Sequence, residues 1–225
     1  MSKINMNPSA FRTIIQINST LNFLFNKGVI VFYNEVPRTY KTERRCQITW
    51  YNHVPGRINC GDSFNKLGQY EHILKTNSYH GLLFDGSVIR VNFAFEDDLL
   101  LTQNLLWWPS PYDFSTLLQD FAPIDILYDL YGDSQWFQSI TMRSPIRIDF
   151  DSTNSSIKHS SCHVHIQNAE TRLFIKSPIC FNRFVQFILK NFYPQYDVHF
   201  LDTDFIKYKT PNLKRINSHY SELII

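Results

Sequence analysis

Glycine is scarce in this sequence, with seven in 225 residues. No G-x-x-x-x-G-K-[ST] loop, G-x-G-x-x-G turn, G-x-S-x-G elbow or H-E-x-x-H segment occurs. Those absences argue against P-loop nucleotide hydrolases, dinucleotide enzymes, serine hydrolases and zincins. The four cysteines, Cys46, Cys60, Cys162 and Cys180, include no C-x-x-C pair, so a structural zinc site is not indicated. No apolar run approaches the length of a membrane span. The first residues, MSKINMNPSAFRTII, lack the apolar stretch of an export signal. The expectation is a cytoplasmic protein with reduced thiols and no membrane association. Charge of one sign is missing too: 22 Lys+Arg face 20 Asp+Glu, a net charge of +2. Such a balance gives no support of its own to nucleic-acid binding, although it does not forbid it.

What the chain has in quantity is apolar and aromatic material. Hydrophobic residues make up 44% and aromatics 16%, including 19 Phe and 12 Tyr. That is ample for a core and unlike a disordered chain. The length suits one domain. The expectation is a single α+β domain over residues 1–225, with a helix over about 7–27 and a C-terminal tail over 195–225.

Period-two alternation is the main signal along the chain. Asn7-Pro8 opens a helix that Lys27-Gly28 closes. Asp85-Gly86 sits between Gly81–Phe84 and Val88–Phe95, as in a hairpin. Leu99–Trp108 reads as a further strand that Pro109 breaks. Short helices are expected over Asp113–Leu118 and Asp125–Tyr131, and a strand over Trp136–Arg143 that pairs with Ile146–Asp151. Near the C-terminus, Phe181, Phe184, Val185, Ile188, Leu189 and Phe192 are spaced as one helical stripe. Ser177 and Pro178 are placed to start that helix and Pro194 to end it. The fold class that follows is α+β, a mostly antiparallel sheet with helices packed on one face, because no regular βαβ alternation occurs.

The stretch from Arg143 to Pro194 carries the chemistry. Ile146, Ile148 and Phe150 alternate with Arg147, Asp149 and Asp151; Cys162, Val164 and Ile166 alternate with His163, His165 and Gln167. If the two strands pair with their apolar sets on one face, the carboxylates and imidazoles share the other. Three readings stay open. The Asp/His set can bind a divalent metal. It can perform metal-free acid/base catalysis, with Arg147 or Arg172 steadying a phosphate. Or Arg147 and Asp149 simply pair while the histidines bond loop backbone. The candidate site is Arg147, Asp149, Asp151, His163 and His165, with no metal and no cofactor assigned. Trp107-Trp108 is read as core rather than as a base-stacking platform, and His159 as a solvated loop residue.

The segments PSPYDF, IRIDFD, HSSCHVHI and RLFIKSPICFNRFVQFILKNFYP resemble a bacterial family known as a domain of unknown function, DUF2290. YHGLLFDGSVIRVNFAF and LLWWPSP fit its shape as well. The resemblance covers about Tyr70 to Pro194 and takes in the N-terminal helix. One departure is QNAETRLFIK, which has less glycine and proline than the family pattern there. The resemblance brings no established activity with it. Some families of this kind sit in bacterial defence or mobile islands. The leading expectation is an accessory or effector protein of a bacterial multi-gene system, phage defence included, acting through a protein partner encoded nearby. The apolar end Leu223-Ile224-Ile225 docks on the domain or on that partner. The rival expectation is a nuclease-like phosphodiesterase using the Asp/His face.

Overall fold

The computed structural model describes residues 7–36, 44–53, 64–112, 140–154, 160–168, 170–196 and 204–211. Among these residues the elements, in chain order, are α1 (Pro8–Asn26), β1 (Ile30–Tyr33), β2 (Arg45–Ile48), α2 (Leu67–Lys75), β3 (Gly81–Leu83), β4 (Val88–Glu96), β5 (Leu99–Trp108), β6 (Ile146–Asp151), β7 (Cys162–Ile166), β8 (Leu173–Phe174) and α3 (Phe181–Phe192). The protein is α+β, with one eight-stranded sheet ordered β1-β3-β4-β5-β6-β7-β8, and β2 paired to the far half of β4. Every strand pair is antiparallel.

Local chemistry sets the helix ends. Asn7 Oδ1 accepts from the Ala10 N–H at 3.0 Å, and Pro8 takes the first helical position, where a missing N–H costs nothing. At the other end Gly28 has φ 69°, and Val29 N–H and Gly28 N–H bond back to Leu24 O and Phe25 O. This is a Schellman closure, which needs the left-handed position glycine supplies. Asn77, at φ 50°, closes α2 in the same way, with Ser78 N–H on Ile73 O.

The pleat of the sheet sorts the core into two layers. On one face Val91, Phe93 and Phe95 of β4, Leu105 and Trp107 of β5, Ile148 and Phe150 of β6 and Val164 of β7 meet Ile17 and Leu21 of α1 and Phe184, Val185 and Ile188 of α3. Burying a side chain of this size contributes about 1.5–3 kcal/mol. The opposite face holds a smaller cluster. Tyr70, Ile73 and Leu74 of α2 pack there with Phe64, Leu82, Val88, Leu106 and Trp108. The two adjacent tryptophans thus belong to different layers.

Several expectations need correction. β6 has β5 and β7 as its neighbours on its two edges rather than the segment just before it, of which residues 136–139 lie outside the described residues. Residues 141–145 run without regular structure, and Ile140 makes only an isolated bridge to Tyr112. The last helix begins after Cys180, whose ψ of 167° is extended, so Ser177 and Pro178 lie before it. The helices expected over 113–118 and 125–131, residue His159 and the apolar end 223–225 lie outside the described residues.

His80, just before β3, is buried, and its Nδ1 accepts the Val91 N–H at 3.1 Å. Burial is the main cause, opposed by the Thr49 backbone and aided by the Arg90 charge, that lowers it from 6.5 to about 3. The unfolded chain binds this proton first, so the stability His80 confers is complete above about 6.5 and is lost as pH falls from there toward 3. Urea unfolding between pH 7 and 4 should show a shallower loss in His80→Asn than in the unaltered protein. Equal slopes would mean that His80 carries no such linkage.

Candidate functional site

Strand register brings the candidate residues together. β6 and β7 pair Arg147 with His165 and Asp149 with His163, directly opposite one another. β5 places Asn104 opposite Asp149 on the other side. Alternation then sends all of them to the face away from α1 and α3.

Their side chains form one network. Asp149 Oδ2 lies 2.8 Å from an Arg147 guanidinium nitrogen and 3.2 Å from His165 Nε2. Asp149 Oδ1 accepts from Asn104 Nδ2 at 2.6 Å. His165 Nε2 is in turn 2.9 Å from His163 Nε2, with the rings edge to face. His163 Nδ1 lies 2.8 Å from the Ser160 carbonyl, which can only accept. His163 therefore carries its neutral-state proton on Nδ1 and aims a lone pair from Nε2 at His165. The result is a carboxylate and an imidazole that both face the one Nε2 position of His165 and share its proton.

The cluster is largely out of water. Arg147, His163 and His165 are 7%, 3% and 2% exposed; the Asp149 side chain keeps 19%. Phe64 lies over it, 4.7 Å from the Arg147 guanidinium carbon and edge-on to the His165 ring. Burial acts to raise the Asp149 carboxyl, but the His165 hydrogen bond and the Arg147 charge outweigh it and hold the group below its ordinary value. His165 Nδ1 has no hydrogen-bond partner among the described residues. Burial pushes the Cys162 thiol far up, so this nearby sulfur is an inert core residue on the other face.

Four of the five candidates, Arg147, Asp149, His163 and His165, are in the network. Asp151 is not: its Oδ1 accepts from Thr153 N–H at 2.9 Å and Thr153 Oγ1 at 2.7 Å, which starts the loop after β6. Arg172 lies just before β8, and its guanidinium reaches Glu170 at 3.5 Å. Two members were not foreseen. Asn104 left a signal, a polar residue inside the apolar strand LLLTQNLLWW. Phe64 left none, because nothing in a loop-like segment says where its ring goes.

In chemical terms this is a mostly antiparallel α+β protein with a buried Arg–Asp–His–His cluster on one sheet face. Residues 30–224 match the family described as "Uncharacterized conserved protein (DUF2290)", and the chain belongs to that family. No curated protein and no solved structure matches it. Among the described residues no helix is long and apolar enough to cross a membrane.

Asp149 titrates low in the folded protein, so the stability it confers is present above about pH 4 and disappears as pH falls through its lowered value. Asp149→Asn should cost about 1–3 kcal/mol at pH 7, and the deficit should shrink below pH 4. Guanidinium unfolding at the two pH values checks this; a deficit that does not change with pH would separate the carboxylate charge from stability.

Proposed function

We propose that this protein is a hydrolase of phosphodiester bonds that works from the sheet face holding Asp149, His165 and His163. The observation that carries the reading is the imidazole–imidazole contact, 2.9 Å between the two Nε2 atoms, with Asp149 Oδ2 at 3.2 Å from His165. Asp149 and His163 both face the single Nε2 position of His165, so a proton there can pass between carboxylate and imidazole, the kind of transfer general acid/base chemistry uses. Arg147 supplies positive charge beside it. Guanidinium groups recognise phosphate oxygens well. The partial exposure of Asp149 leaves the cluster an open side.

The test uses the purified chain with bis(p-nitrophenyl) phosphate and with single- and double-stranded DNA and RNA, in buffers with and without added divalent metal ions. Hydrolysis is expected, and His163→Gln should lower kcat/KM per folded molecule by about 10²–10⁴ fold. Wild-type protein that cleaves none of these substrates, or a His163→Gln variant with undiminished activity, would remove the hydrolytic reading.

A second reading has its own observation. Phe25 and Phe32 are 46% and 45% exposed at the α1–β1 end of the sheet, where β1 pairs with β3 on one side only among the described residues. Exposed aromatic side chains beside a strand edge suit a protein partner. This supports a single-domain accessory or effector protein of a bacterial multi-gene system, phage defence included, acting in the cytoplasm on a partner encoded nearby. Co-expression with each neighbouring gene product should yield a stable complex that Phe32→Asp weakens at least about tenfold. A chain that stays monomeric with every neighbour contradicts it.

A further inference from the structure

We propose that Asp149, His163 and His165 form a binding site for one divalent transition-metal ion, with Zn²⁺, Fe²⁺, Mn²⁺ and Co²⁺ as the class. The assignment deepens the hydrolytic reading, since it rests on the same three side chains, and it is tested by binding rather than by turnover. The three residues each offer a ligand atom within 4.8 Å of the others.

The edges of this triangle fit a metal. Ligand atoms about 2.1 Å from one ion are about 3.0 Å apart at a right angle and about 3.4 Å apart at the tetrahedral angle. The His163 Nε2–His165 Nε2 edge is 2.9 Å and the His165 Nε2–Asp149 Oδ2 edge is 3.2 Å. The remaining edge, between His163 and Asp149, is within 4.8 Å. Two ligands of one ion stand no more than about 4.2 Å apart, and a small turn of the carboxylate toward His163 would bring a wider edge within that limit.

The atoms behind the ligands are arranged as outer-shell partners. Metal-bound imidazoles usually donate their second N–H to a carbonyl or carboxylate, which fixes the tautomer and the ring. His163 does this through Nδ1 to Ser160 O. Ligating carboxylates are themselves held by hydrogen bonds, and Asn104 holds Asp149 through Oδ1, leaving Oδ2 toward the imidazoles. Arg147 takes one lone pair of that Oδ2, and an ionised carboxylate oxygen has a second. The site is neutral before an ion enters, and it is the electron pairs rather than the charge that favour a metal. Arg147 and Asp149 cancel, and two neutral imidazoles add electron pairs without charge.

Two imidazoles and one carboxylate are a borderline donor set. It suits first-row transition ions and leaves coordination positions for water or substrate, whereas oxygen-only ligation would suit Mg²⁺ or Ca²⁺. A bound ion of this kind would supply a nucleophilic hydroxide near neutral pH and polarise a phosphoryl oxygen. Asp151 takes no part, because Thr153 occupies its carboxylate.

The experiment loads the purified full-length chain with Co²⁺, and separately with Zn²⁺, after treatment with a chelator. Dialysis and elemental analysis should give one ion per chain. The Co²⁺ complex should show a visible ligand-field band and two hyperfine-shifted, exchangeable imidazole N–H signals in its NMR spectrum. His163→Gln and His165→Gln should each weaken binding by about 10–100 fold or more, since even outer-shell changes at such sites have that effect. Asp151→Asn should bind as the unaltered protein does. No uptake by the wild-type chain, a spectrum without imidazole signals, or full uptake by both glutamine variants overturns the site. Should a glutamine variant not fold, the wild-type NMR signals decide alone. Metal uptake without phosphodiester hydrolysis would sink the hydrolytic reading and leave this site standing. Hydrolysis by a chain that takes up no metal would do the reverse.

Discussion

The register of β6 between β5 and β7 is the constraint on which the rest depends. A pleated strand sends neighbouring side chains to opposite faces, so one register decides every position at once. With Ile148 opposite Val164 and Leu105, the apolar set of three strands lies under α1 and α3. With Asp149 opposite His163 and Asn104, the polar set is assembled on the other face in the same step. A slip of one residue would expose Phe150 and Ile148 and drive Arg147 and Asp149 into the main core. The fold and the cluster are therefore one decision made by the hydrophobic pattern.

Burying that cluster carries a cost. An arginine, an aspartate and two histidines, three of them under a tenth exposed, leave water for a layer shared with Phe64 and Trp108. Such groups are tolerated only when they are paired and hydrogen-bonded. Here the charges neutralise each other, Asn104 and Ser160 take two of the remaining atoms, and His165 Nδ1 is left without a partner among the described residues. A set of apolar side chains of equal volume would stabilise the sheet at least as well. The cost of this arrangement is one of the grounds on which chemistry is proposed for this face.

The two layers are tied at one end of the sheet by a second polar network. Tyr193, just past α3, donates to Asp85 Oδ2 at 2.9 Å and lies 3.0 Å from Ser87 Oγ, both at the β3–β4 turn. Arg143 reaches the same Asp85 carboxylate at 2.8 Å. On the opposite face Tyr70 of α2 bonds Gly86 O at 2.8 Å, while Ser87 Oγ receives the Ser110 N–H after β5. The turn between β3 and β4 is thus held from both faces by phenol groups whose rings lie in the two cores. Burial pushes the Tyr193 and Tyr70 hydroxyls far above their ordinary range, so they remain neutral donors at any working pH.

Much of this was legible in the residues themselves. Alternation in IRIDFD and CHVHI located two strands and separated their faces, because side-chain direction in a strand is a local property with period two. The α3 stripe and the caps of α1 were readable for the same reason, since helix periodicity and end signals lie within a few residues of sequence. Partner choice is not local. Nothing near β6 says that its second neighbour is β5, more than 35 residues earlier, rather than the segment just before it; only the competition for buried apolar area across the whole sheet settles that. The same holds for the site. The sequence by itself determined that Arg147, Asp149, His163 and His165 share a face. Tertiary structure alone decided that Asn104 and Phe64 join them and that Asp151 turns away to Thr153, because those outcomes depend on distances between segments that no local pattern encodes.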